Sequence, residues 1–242
     1  MATIAKKIPF HRKSALIAGI SLIIMAFAAA FSNGLILGNL VVQGDAGTTL
    51  NNIVSSINLF NAGIFGWLII LISDIVVAWA LYTFMHPINK NLSLLGAMLR
   101  LTYAAILGIA ILNLVFVSLL SSSPDILLLS NDTQLQSLMM LSLEAFYFIW
   151  SVGLVIFGGH LMIISYLSFH SNHIPKIISI LLFIASVGYI VIHLFSTFLY
   201  HYDGIIDVLE IAFAAPMIAG ELGFGLWLLF RGGKGKNPVK RL

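Results

Sequence analysis

Only 9% of the 242 residues are charged and 60% are hydrophobic, against about a quarter charged in soluble globular domains. That balance excludes a soluble enzyme or binding domain and points to an all-α, polytopic transmembrane helical bundle. The net charge of +3 carries no nucleic-acid signal, and with no cysteine the chain has no disulfide, thiolate metal site or cysteine nucleophile.

The length accommodates six or seven spans of about 20 to 28 residues with short connections and no appended soluble domain. Six apolar runs emerge, at about 14–38, 58–85, 92–120, 138–169, 176–200 and 205–230, forming one transmembrane domain over residues 1–242. The first follows a basic tail (Lys6, Lys7, Arg12, Lys13), and Ala28, Ala29 and Ala30 offer the small residues of a signal-peptidase site. The run is too long for a signal h-region, so a retained span is expected. Residues 39–57 make a mixed loop with Asp45, Gly47, Thr48, Thr49 and Asn51, suited to a short interfacial helix. His86, Pro87 and Lys90 turn the chain between the second and third spans. Residues 125–137 hold Leu127, Leu128 and Leu129 between polar ends, as in a segment lying on the bilayer surface. A turn with Pro175 separates the fourth and fifth spans, and Asp203 and Gly204 precede the sixth.

Orientation follows from the basic residues. The N-terminal tail holds four Lys or Arg, the second-to-third and fourth-to-fifth connections one each, and the C-terminal tail five. The other three connections hold none, but contain Asp45, Asp125, Asp132 and Asp203. The positive-inside rule puts both termini in the cytoplasm.

Arg100 alone among the Lys and Arg residues falls deep within an apolar run, where a guanidinium costs several kcal/mol unless an anion meets it. Asp74, on the antiparallel span before it, supplies one. Counting about 1.5 Å per residue, Asp74, Arg100, His160 and Glu221 all lie about 12 to 17 Å from the cytoplasmic ends of their helices. Four such groups at one level are expected to face each other or a hydrated cavity. Tyr103, one turn from Arg100, shares its face and can add a hydrogen bond. One reading is a polar site in the cytoplasmic half, with Arg100 anchoring an anion or protons passing among Asp74, His160 and Glu221. The other is a satisfied network that fixes helix register, since Arg offers five donors. His160 by itself reads as a core histidine bonded to a carbonyl or carboxylate.

Glu144, Tyr147, His193 and Glu210 form a second, outer set. Glu144, His193 and Glu210 are suitable metal ligands, but no HxxxH or HExxH spacing sets two on one helical face. Solvated residues near the interface are the expectation, with no metal or cofactor. Gly158, Gly159, Gly220, Gly223 and Gly225 allow close backbone approach, and Pro216 is expected to kink the last span above Glu221.

The order of several short stretches resembles the domain of unknown function 4386 family of bacterial integral membrane proteins. These are Arg12-Lys13-Ser14-Ala15; Gly44-Asp45-Ala46 with Thr49 and Asn51; Asp74-Ile75-Val76-Val77-Ala78 with Leu81-Tyr82; and Arg100-Leu101 with Tyr103-Ala104-Ala105. Gly159-His160-Leu161, Tyr166-Leu167, Ser171, Ile174-Pro175, Gly188-Tyr189 and residues 216–229 with Gly220-Glu221-Leu222 continue it. Where some members carry an acid three residues after the arginine, this chain has Tyr103. The resemblance implies a bundle of about six spans in a bacterial cytoplasmic membrane, with Asp45, Asp74, Arg100, His160 and Glu221 belonging together, and it carries no activity.

Three functions fit. The first is binding or transport of a small solute or protons through the Asp/Arg/His/Glu cluster. The second is an intramembrane enzyme acting on a lipid-like substrate, with His160 or Glu221 as acid or base. The third is a non-catalytic sensor or partner subunit. No phosphate loop, nucleophile elbow or paired acidic motif supports the enzyme, which ranks below transport. Membrane lipids and a second copy of the chain are the expected partners.

Overall fold

A computed structural model describes residues 10–122, 131–199 and 203–234. Helix α1 covers Phe10–Ala29, widens into a π-helix over Ala30–Leu37 and ends in the α-helical turn Gly38–Leu40. It is followed by α2 (Ala46–Ser55), α3 (Ile57–Met85), α4 (Lys90–Ser122), α5 (Asp132–His170), α6 (Lys176–Phe198) and α7 (Asp203–Phe230). No strand occurs among the described residues. Five of these helices, α1, α3, α4, α5 and α6, are long and apolar enough to cross a membrane, as an integral membrane protein requires. The sixth expected segment forms the 28-residue α7, continuous through Pro216.

Local chemistry sets the helix ends. The expected mixed loop contains α2: Gly44 turns the chain at φ +77°, a left-handed conformation open to glycine. Asp45 then caps the helix, its Oδ1 accepting from the Thr48 amide at 2.9 Å and its Oδ2 from the Thr48 hydroxyl at 2.7 Å. Both bonds favour the carboxylate and hold Asp45 below its ordinary pKa of 3.8. Buried Thr49 ties α2 back to Val42, accepting from its amide at 2.9 Å. Asn89 caps α4 through the Leu92 amide, and Asn131 caps α5 through the Thr133 amide. α5 thus starts well before the expected 138, absorbing the second half of the supposed surface segment. Residues 125–130 of that segment lie outside the described residues.

The six long helices form a closed ring. α1 packs on α3, α3 on α4, α4 on α5, α5 on α6, α6 on α7, and α7 closes back on α1. The α1–α7 seam is tight at the end where α7 finishes. A Cβ on Gly19 would stand 2.8 Å from the Leu229 amide nitrogen and 2.9 Å from the Gly225 carbonyl oxygen. The Arg12 guanidinium donates there to the carbonyls of Leu228 at 2.9 Å, Gly232 at 2.7 Å and Leu229, satisfying acceptors left over at a helix C-terminus. Farther along, most of α7 from Gly204 to Ala219 is exposed or half-buried, so the two helices diverge.

Gly158 and Gly220 are close-approach points, facing the backbone of α6 at Ser186 and at Leu181. Gly159 meets only the Leu99 side chain, and Gly223 faces nothing within 4 Å. For these two the expected backbone contact is absent, because one faces a side chain and the other open space.

The described Lys and Arg residues other than Arg100 gather at one end of the ring, in the first turns of α1, α4 and α6 and after α7. This is the basic end; the opposite end carries α2.

Candidate functional site

The α3–α4 hairpin sets Asp74 against Arg100, with Asp74 Oδ1 2.7 Å from Arg100 Nη2. Asp74 is 0% and Arg100 1% exposed, so the charges neutralise one another out of contact with solvent. Arg100 Nη1 lies 3.1 Å from His160 Nε2 on α5, and His160 Nδ1 lies 2.8 Å from the Gly96 carbonyl oxygen, one turn before Arg100. A guanidinium only donates and a carbonyl only accepts. His160 therefore carries its proton on Nδ1, uses Nε2 as acceptor, and is uncharged in this arrangement. The expected core histidine is present with both ring nitrogens engaged. Arg100 also has Met25 Sδ of α1 at 3.7 Å and the Phe157 ring centred 5.2 Å from Cζ. Asp74 Oδ2 and Arg100 Nε have no hydrogen-bond partner among the described residues.

Glu221, on α7, stands across a narrow gap. Its Oε1 accepts from the Tyr189 hydroxyl of α6 at 2.7 Å. The gap, about 10 Å³, is bordered by Arg100, His160 and Glu221, close to the minimum that admits one water molecule. The expected four-helix layer is therefore brought together as an Asp74–Arg100–His160 chain with Glu221 facing it rather than bonded to it. Tyr103 is buried on α4 as Arg100 is, with a partner on α5. Its hydroxyl accepts from Trp150 Nε1 at 3.2 Å, because the ring leans toward α5 and packs on Phe157 with centroids 5.0 Å apart.

Glu221 also floors a cleft of about 710 Å³ that extends toward the α2 end, where it reaches Asn33, His193 and Glu210. Tyr103, Trp150, Phe157 and Tyr189 line it, and Phe157 screens Arg100 from it. The π-helical part of α1 contributes Ala30 and Asn33 to the wall, in keeping with the frequent placement of π-turns at functional sites. Trp67, 1% exposed, is another wall residue, and its indole N–H has no partner among the described residues. A separate cavity of about 810 Å³ at the basic end is bordered by His11, His173, Arg231 and Lys234. Between it and the gap, Phe224 stacks on Trp227, with centroids 6.5 Å apart. The cleft that reaches Glu221 opens toward the α2 end, and the glycine-tight seam closes the α1–α7 junction on the other side.

The outer set does not converge. Glu144 is exposed, His193 Nδ1 lies 3.0 Å from the Ser151 hydroxyl, and Glu210 reaches the cleft mouth. Among the described residues no three His, Asp or Glu side chains are grouped to hold a metal. The residues not foreseen as partners are Met25, Gly96, Trp150, Phe157 and Tyr189. Tyr189 alone had a usable signal, as a polar group in an apolar span.

A family model described as "Domain of unknown function (DUF4386)" matches residues 17–232. An uncharacterised protein of Archaeoglobus fulgidus is 32% identical over 173 residues, which cover 71% of this chain and 84% of that protein. No solved structure matches.

Proposed function

We propose, from the premise that the chain belongs to the DUF4386 family, that it binds or moves a small solute or protons through the centre of its helix ring. Glu221 is the exchanging group. The observation that carries this reading is that Glu221 lines both the cleft and the narrow gap against Arg100 and His160. A carboxyl so placed can accept a proton or a donor from the cleft and respond to the fixed charges behind it. In the Asp74–Arg100–His160 chain both Arg100 terminal nitrogens are engaged, by His160 and by Asp74, and Phe157 covers the guanidinium on the cleft side, which argues for Glu221 over Arg100 as the ligand-facing group.

In this reading α7 is a sixth span, the whole chain is one transmembrane domain, and both termini are cytoplasmic. The segregation of basic residues to one end supports that topology. The resemblance to bacterial integral membrane proteins supports a bacterial cell membrane as the location. Proteoliposomes with an entrapped pH dye and an imposed potassium diffusion potential test the proton arm. Proton entry should be several-fold above empty vesicles and lost in Glu221→Gln; flux unchanged in that variant sinks the role of Glu221.

One observation favours a second reading, a sensor or partner subunit whose charges only fix packing. Arg100 is enclosed and paired wholly within the ring. Absence of flux, with fold retained after joint apolar replacement of Asp74 and Arg100, would select it.

A further inference from the structure

From the cleft walls we infer that the ligand class is an apolar organic cation entering from the lipid side, an assignment that rests on the solute-binding reading above. Glu221 at the floor and Glu210 at the mouth are carboxylates, and no Lys or Arg lines the cleft among the described residues. Arg100 lies behind Phe157 with its charge matched by Asp74. The uncompensated charge of the cleft is therefore negative.

The floor and walls are aromatic. Tyr103, Trp150, Phe157 and Tyr189 surround the approach to Glu221, with Phe157 edge-on to Tyr189 at 5.1 Å. Aromatic faces attract cations through the ring quadrupole, most strongly where water is excluded. Apart from Asn33, Trp67 and His193 the remaining wall is aliphatic, so an inorganic cation would find too few oxygens, and a metal would lack a grouped ligand set among the described residues. An ammonium or phosphonium with an apolar body meets both halves of this chemistry.

The route follows from the seam. α1 and α7 are pinned by Gly19 and Gly225 at the basic end, whereas the exposed half of α7 leaves the cleft open between them toward the α2 end. A solute already dissolved in the outer part of the bilayer can enter sideways without crossing the Asp74–Arg100–His160 chain.

Tetraphenylphosphonium and tetraphenylborate have nearly the same shape and opposite charge, and Trp67 and Trp150 report on the cleft through intrinsic fluorescence. Titrated into purified full-length protein in neutral detergent, with protein-free micelles subtracted, the phosphonium should saturate roughly tenfold more tightly than the borate. Glu221→Gln retains a partner for Tyr189, and Glu210→Gln alters an exposed position; each should reduce the preference several-fold. Equal or tighter borate binding would overturn the cation assignment while leaving a binding cleft in place. Saturation by neither ion would overturn it as well, with the proton-flux measurement then deciding the broader reading separately.

Discussion

Arg100 Nη2 sits 2.7 Å from Asp74 Oδ1 across the α3–α4 hairpin, and neither side chain touches solvent. A lone charge in that position is left without its bonded partner, so removing one member is far worse than removing both. Asp74→Ala is expected to cost about 3 to 5 kcal/mol. Asp74→Leu combined with Arg100→Met should recover most of that loss. Thermal unfolding in detergent measures both, and a double variant as unstable as the single one would trace the loss to packing rather than to a stranded charge.

That pair was legible because cost and depth together select it. Arg100 could not remain unaccompanied in hydrocarbon, and the preceding span offered an acid at its level. His160 and Glu221 followed by the same count. What depth cannot supply is the partner each side chain finds. Tyr103 is buried on α4 with Arg100 and packs on the same Phe157 ring, yet its hydroxyl accepts from Trp150. Tyr189 starts thirteen residues into α6, about 20 Å, while Glu221 is nine residues from the end of α7, about 14 Å. The length of the tyrosine side chain closes that difference, which residue counting ignores. The ring order, and with it the cleft, depends on α7 returning to α1, a contact no local pattern encodes.

The seam gives a sharp contrast between two glycines. Gly19→Ala puts a methyl within 2.8 to 3.2 Å of backbone atoms of α7, so the helices must separate, at a cost of about 1 to 3 kcal/mol. Gly223→Ala meets nothing within 4 Å and should be neutral or stabilising by up to about 1 kcal/mol through helix propensity. Melting temperatures of the two variants should differ in that order; the reverse order would place the tight crossing elsewhere.

The cap of α2 predicts a pH response. Thr48 lowers the pKa of Asp45 through two hydrogen bonds to the carboxylate. A depressed acid contributes stability above its unfolded-state pKa and loses it as pH falls through the folded one. The α2 start should therefore loosen only below the ordinary value of 3.8. Carboxyl carbon NMR should find the Asp45 midpoint below that value, and Thr48→Val should raise it. Asp45→Asn should retain the cap without the pH response.

Topology can be read directly because the chain contains no cysteine. Asn51 on α2 and Asn172 in the α5–α6 turn are both exposed and lie at opposite ends of the ring. In intact cells a membrane-impermeant maleimide should label Asn51→Cys and should reach Asn172→Cys only after permeabilisation. The opposite pattern would invert the molecule in the membrane.

Five junctions of the ring join helices that follow one another along the chain, and hairpins of that kind reassemble from nearby parts. The sixth is different: Arg12 and the carbonyl of Gly232 meet across 220 positions. Under mechanical tension this is the clasp that should part first, turning a closed band into an open crescent whose paired arms stay intact, with Glu221 carried away from Arg100 as it opens.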